Sequence, residues 1–227
     1  MNKFRIEITK GEEIRYISHL DYAALIERAI CRSGLPAAYS EGFNPHMKIA
    51  FASALAVGVT SDAEYMDIEL VQPVCQPEFF DRLKESLPEG TKLLRAKEFE
   101  EKHKALMAEV DLAGYEIKVP LHGDLMEASE AVERYNNEAE VFYKRVTPKK
   151  MREIEVKQYM KKNILLQGTA DMLTLHMRII ITSAGSIKPG EILEILKDSF
   201  GMPIEPMEAL INRQTLSGGG KPLIDLV

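Results

Sequence analysis

The sequence has no tryptophan, and aromatic residues of all kinds make up only 7% of its 227 positions. A surface that stacks on nucleic-acid bases would have to be built from a few Tyr, Phe or Arg side chains. Cysteine is almost absent, with Cys31 and Cys75 alone and far apart. A four-iron cluster needs a short motif of thiolates, so the chain cannot hold the cluster of a radical enzyme by itself. Apolar runs are short, and none approaches the ~18 residues that cross a bilayer. Residues 1–5 lead directly into an alternating strand pattern rather than an apolar leader. Two thiols in such a chain fit a cytoplasmic, reducing compartment. A surplus of positive charge is also missing, since the net charge is −6. Any contact with a polyanion must come from a local patch, because nothing in the bulk charge attracts phosphate.

What is present is a core: 45% of the residues are hydrophobic, well clear of a disordered composition. Phe4-Arg5-Ile6-Glu7-Ile8 alternates as a strand does. Ser18 precedes Leu20, Ala23, Ala24, Leu25, Ala29 and Ile30 at helical spacing, with Asp21 completing a capping-box variant; Gly34 and Pro36 end that helix. The stretch 49–55 reads as a strand, and Glu64 to Leu70 alternates cleanly. Pro77 opens a helix carrying Phe79, Phe80, Leu83 and Leu87, and residues 92–96 close the set. Residues 1–98 thus read β-α-β-β-α-β. Residues 99–114 read as a charged linker, either a helix or a crossover. Residues 115–227 repeat the order, with strands near 115–121, 141–146, 173–181 and 204–210, helices at 124–135 and 189–200, and an insertion at 147–166. The predicted fold class is α+β, as two tandem ferredoxin-like (βαββαβ) domains. Ser217-Gly218-Gly219-Gly220-Lys221-Pro222 lacks the spacing and the following helix of a phosphate loop and reads as a flexible tail.

Three places carry chemistry. Ser18-His19-Leu20-Asp21 sets an imidazole on the first turn of a helix, where the dipole disfavours imidazolium and favours anions; the plainer alternative is a cap with a packed His. Tyr39-Ser40-Glu41-Gly42-Phe43-Asn44-Pro45-His46-Met47-Lys48 is a turn-rich loop. Asn44, His46 and Lys48 offer donors, and His46 titrates near neutrality. A structural turn is the alternative here. The segment 144–162 holds Lys144, Arg145, Lys149, Lys150, Arg152, Lys157, Lys161 and Lys162 against Glu153 and Glu155, with Tyr143 and Tyr159 between them. It is the one local field suited to a polyanion, and otherwise a solvated hairpin. A metal site from His19, Asp21 and His46 lacks close ligand spacing, so no metal and no cofactor are expected.

Ile17-Ser18-His19-Leu20-Asp21, the loop 39–46, and Ala52-Ser53-Ala54-Leu55 with Val57-Gly58-Val59 and Ala63-Glu64-Tyr65 together resemble the radical SAM-linked protein family. That family is a domain of unknown function found fused to, or beside, cobalamin-type radical SAM proteins. The resemblance is dense over residues 3–98 and thin beyond. It implies a radical SAM protein as partner and supplies no activity. The leading expectation is an accessory module that works with such an enzyme and binds or presents an RNA, without a membrane. RNA contacts fall to Lys144, Arg145, Lys149, Lys150, Arg152, Lys161 and Lys162. Substrate contacts fall to Ser18, Asp21, Tyr39, Ser40, Phe43, Asn44 and Lys48. Two alternatives stand beside it. One is a metal-independent RNA-processing enzyme using His19 and His46 as acid and base. The other is a small-molecule binding module with the Phe43 loop as a lid.

Overall fold

The computed structural model describes residues 2–99, 103–147 and 150–227. The chain is mixed α+β and divides into two compact units, residues 1–111 with 213–227, and residues 112–212. The first unit begins with β1 (Asn2–Lys10), α1 (His19–Ser33), β2 (Ile49–Phe51), β3 (Val59–Leu70), α2 (Gln76–Ser86), β4 (Leu93–Phe99) and the single turn α3 (Leu106–Glu109). β1 lies between β3 and β4, antiparallel to both, and β2 pairs with β3. Strand alternation sends Phe4, Ile6 and Ile8 to one face, where they meet Met66, Ile68 and Leu70. Tyr22, Ile26 and Ile30 of α1 and Phe79 and Leu83 of α2 cover that face. Phe4 and Phe79 stack with ring centroids 4.0 Å apart. Each such side chain contributes about 1.5–3 kcal/mol on burial.

The opposite face of β1 carries charge. Arg5 is fully buried, grips Asp67 by two bonds of 2.7 and 2.9 Å, and also reaches Glu109. Glu7 accepts from the Tyr65 hydroxyl at 2.8 Å and pairs with Arg95. Burial and the Glu7 bond both raise the Tyr65 phenol well above the ordinary range.

The second unit holds β5 (Leu112–Pro120), α4 (Leu125–Asn137), β6 (Phe142–Thr147), β7 (Lys150–Glu155), β8 (Leu165–Gly168), β9 (Met172–Ile180) and α5 (Pro189–Asp198). β9 lies between β5 and β8, antiparallel to both, while β6 and β7 form a separate hairpin. Asp124 caps α4 by accepting from the Met126 amide at 2.6 Å. Ile117, Val119, Leu173 and Leu175 pack with Ala128, Val132 and Tyr135 of α4 and with Ile192, Leu193 and Leu196 of α5. The expected insertion is therefore a hairpin, a turn and a short strand.

The end of the chain departs from expectation. Residues 206–208 are a 3₁₀ turn, and the last long strand is β10 (Leu210–Gly218), not 204–210. Gly219 and Gly220, both at positive φ, turn it back into β11 (Lys221–Pro222). A 3₁₀ turn follows, with Leu223 and Ile224 buried. Gly218 passes so close to α3 that an added Cβ would sit 1.9 Å from the Glu109 carbonyl oxygen. The residues expected as a loose tail of the second domain thus pack into the first unit. The Leu223 carbonyl accepts from Arg5 at 2.9 Å, and Asp225 pairs with Arg95 at 3.1 Å. The expected linker is only α3, because β4 runs to Phe99 and β5 starts at Leu112.

Candidate functional site

The start of α1 is built as its residues suggest. The Ser18 hydroxyl accepts from the Asp21 amide at 3.1 Å and donates to the Asp21 carboxylate at 2.6 Å. His19, the first helical residue, sets its ring edge-on to Phe51 of β2 with centroids 5.1 Å apart. Tyr22 lies buried one turn further and donates to the Thr9 carbonyl at 3.2 Å. Burial pushes its phenol well up, Glu64 adds to the shift, and Arg213 opposes it. Tyr22 is therefore a neutral donor.

Charges missed by sequence reasoning lie beneath. Arg213 of β10 is buried and binds Glu64 through Nε at 2.9 Å and through Nη2. Its Nη1 donates to the Ser53 hydroxyl at 2.7 Å, and its carbonyl accepts from Ser61 at 3.2 Å. Buried Lys10 donates to the carbonyls of Arg15 and Ile17 at 3.0 and 3.2 Å. Arg15 exchanges bonds with Gly58, its Nε reaching the Gly58 carbonyl and its own carbonyl taking the Gly58 amide. Burial lowers the Lys10 ammonium from its usual range, Glu64 raises it, and Arg15 and Arg213 lower it further. In this buried layer three cations face one anion, while Glu12 (on Arg15) and Asp21 stand nearer solvent.

The loop 39–48 is a tight excursion. The Ser40 amide donates to the His46 carbonyl at 2.8 Å, and the His46 amide donates to the Ser40 hydroxyl at 3.0 Å. Tyr39 and Met47 form a bridge beneath them, and Met47 is buried. Phe43 is fully exposed at the tip, with Asn44 and His46 also exposed. The Tyr39 hydroxyl lies 3.8 Å from the Cys31 thiol. Cys31 is twelve residues beyond His19 on α1, ~18 Å at the helical rise. The loop is thus anchored at the end of α1 away from His19, and no described contact joins His19 to His46. Lys48 faces the other side of the sheet, 3.6 Å from Glu69. Among the described residues no three metal-ligating side chains gather.

In the second unit the basic segment is partly engaged by its own fold. Arg145 holds Glu191 by bonds of 2.6 and 2.5 Å and donates to the Ser186 carbonyl. Lys157 donates to the carbonyls of Tyr135 and Asn136 at 2.8 and 3.1 Å. Tyr159 is buried, and Tyr143 is half-buried against the core with its hydroxyl donating to Glu194 at 2.6 Å. Lys144, Arg152, Lys161 and Lys162 remain exposed. Lys149 lies outside the described residues, and Lys150 is placed in β7 by its backbone alone.

No helix among the described residues is long and apolar enough to cross a membrane. None of the curated proteins matches the chain. Among solved structures, the chain is similar to one chain in the crystal structure of a Cbf5-Nop10-Gar1 complex, with a TM-score of 0.50 and 11% identity. That likeness covers 95% of this chain and 48% of the other, so the present chain spans about half the length of its match. At this identity the likeness is one of fold alone. The sequence also matches, over residues 3–189, the family described as "Uncharacterized protein conserved in bacteria (DUF2344)", a description that names no enzyme and no partner. Since the match takes in well over half of the sequence, the chain belongs to that bacterial family.

Proposed function

We propose that the chain is an accessory module that docks on a radical SAM enzyme and presents an RNA to it. The observation that carries the docking is the exposure of large apolar side chains on the motif segments and directly beside them. Phe43 is fully exposed, and Leu20 and Tyr16 are 79% and 75% exposed. Scattered apolar residues are normal on a surface, but these three stand beside side chains that are capped, bridged or buried. Leu20 and Tyr16 mark the start of α1, and the loop that carries Phe43 is anchored through Tyr39 at Cys31, ~18 Å along the helix. A standard interface of about 800 Å² per partner is roughly 30 Å across, so one partner spans both ends.

The radical SAM identity of that partner rests on the resemblance of the three motif segments. The fold likeness to a chain from a three-protein complex is in keeping with work done in an assembly. The RNA reading is supported by exposed Lys144, Arg152, Lys161 and Lys162 and by the cation surplus beneath the start of α1. Each unit is inferred to be ferredoxin-like. In the first, β1 sits between β3 and β4 with β2 on β3; in the second, β9 sits between β5 and β8.

The test mixes the purified chain with a cobalamin-type radical SAM protein of the same bacterium, with and without RNA, beside the variant Leu20→Ser/Phe43→Ser. Association of the wild type, weakened at least about tenfold in the variant, is the expected result. No association under either condition, or equal association of the variant, refutes the docking. RNA retention at two salt concentrations, with Lys161→Ala/Lys162→Ala beside the wild type, tests the cargo separately.

A further inference from the structure

The face of the first unit's sheet away from α1 holds a cavity of about 330 Å³. β1, β2 and β3 form its floor, and the end of β4 and the start of α3 form its rim. Lys3, Lys48 and Lys104 line it with Asp67 and Glu69, and Phe99 and His103 close one side. The Phe99 and His103 rings meet edge to face with centroids 5.4 Å apart. Behind Phe99, the Arg5 guanidinium carbon lies 5.4 Å from the ring centre. The aromatic wall is therefore backed by a buried cation, which orients the Phe99 ring.

The charges of the described residues do not cancel. Glu69 alone serves two ammoniums, Lys3 at 2.7 Å and Lys48 at 3.6 Å. Asp67 is held by two bonds from Arg5, which also holds Glu109. Lys104 makes no ion pair among the described residues. Among the described residues four cations, Lys3, Arg5, Lys48 and Lys104, thus face three carboxylates, Asp67, Glu69 and Glu109. An apolar ligand would leave that surplus uncompensated, and a bare anion would leave the aromatic wall unused.

We propose that this cavity binds a nucleoside monophosphate. Its phosphate lies between Lys48 and Lys104 with Lys3 behind, and its base lies against the Phe99–His103 wall. The volume falls at the lower end of small-molecule sites, roughly 300–1,000 Å³, which suits a mononucleotide rather than a dinucleotide. Lys48 belongs to the motif loop, so that loop supplies the site with a cation on this side of the sheet and an exposed Phe43 on its tip. The proposal is independent of the docking and RNA readings. The same chemical group occurs free and at the phosphorylated end of an RNA strand.

The experiment is calorimetric titration of the full chain with AMP, adenosine, inorganic phosphate and an RNA trinucleotide bearing a terminal phosphate. Lys48→Ala/Lys104→Ala, Phe99→Leu and the control Lys84→Ala, exposed on α2 across the sheet, are titrated in parallel, each checked for an unchanged circular dichroism spectrum. AMP is expected to bind about tenfold or more tightly than adenosine or phosphate, because both walls act. The double lysine variant should lose about tenfold for AMP and leave adenosine unchanged. Phe99→Leu should weaken AMP and adenosine while sparing phosphate, and Lys84→Ala should change nothing. AMP binding with the trinucleotide excluded assigns the site to the free nucleotide; binding of both, each lost in the double variant, assigns it to a terminal nucleotide as well. No AMP binding, equal affinity for AMP and adenosine, or AMP affinity unmoved by the double lysine change overturns the proposal.

Discussion

Replacing Arg213 by methionine should cost the first unit about 3–5 kcal/mol, the usual penalty for stripping one partner from a buried ion pair. Arg213 is 2% exposed and Glu64 3% exposed, so neither charge has water to fall back on. Methionine keeps the apolar stem but removes every donor, leaving Glu64 buried. Lys10 does not take over, because its ammonium is committed to the carbonyls of Arg15 and Ile17. Ser53 also loses its bond from the guanidinium. Glu64→Gln should cost less, about 1–3 kcal/mol, since an amide oxygen still accepts from Arg213. The double change Arg213→Met/Glu64→Leu removes both charges and should recover to within about 2 kcal/mol of the wild type. Urea unfolding followed by circular dichroism measures all four proteins, and a loss of 4 kcal/mol in a chain of this size lowers the Tm by about 10 °C. A single Arg213→Met cost below about 1 kcal/mol, or a double variant as unstable as the single one, would refute the reasoning.

Ser18→Ala should cost about 1 kcal/mol by removing the cap of α1, read from the same urea curves. Arg145→Ala should cost about 1–3 kcal/mol because Glu191 and the Ser186 carbonyl lose their partner, while Lys162→Ala stays within about 0.5 kcal/mol; RNA affinities of Arg145 variants must therefore be corrected for unfolding. Burial, and then its bond to Glu194, push the Tyr143 phenol up to about 12. A folded-state pKa above the ordinary ~10 gives stability that is complete below pH ~10 and is lost as pH rises through about 12. Tyr143→Phe should abolish that alkaline slope and remove one late step from the tyrosinate absorbance titration; parallel unfolding curves for both proteins in that window would count against the bond.

Much of the first unit was legible because its strands alternate and its helices are capped by local chemistry. Phe4, Ile6 and Ile8 announce one buried face of β1, and Ser18 with Asp21 marks the start of α1 where it is found. The loop 39–48 was legible as a turn from Gly42 and Asn44-Pro45. The long-range part was not. Glu64 and Arg213 are 149 positions apart, and no local pattern couples them. β10 buries Arg213, Leu216 and Gly218 rather than an apolar alternation, so its periodicity is weak. The one available signal is Gly219-Gly220, a pair suited to a two-residue hairpin turn but equally at home in a loose end. The charge run 144–162 was visible in the sequence, but which of its members pair internally depends on α5, and Glu191 and Glu194 sit too far along the chain to signal it.

The motif segments divide once their contacts are known. The order β1-α1-β2-β3 brings the end of β1, the start of α1, the end of β2 and the start of β3 to one edge of the first unit, as the pairing of Lys10 with Ser61 requires. Ser18, Asp21, Ser53, Glu64 and Tyr65 meet hydrogen-bonding partners there or close by, so fold stability alone accounts for them. Met47 is buried and holds the loop at its base. Leu20, Phe43, Asn44 and His46 have no such account, since each is exposed. If the segments served the fold alone, these positions would tolerate any soluble side chain. Stability measurements therefore separate the two groups before any partner is tested: loss on changing the first, none on changing the second, and the search for function then turns to the exposed side chains of the segments, these four among them.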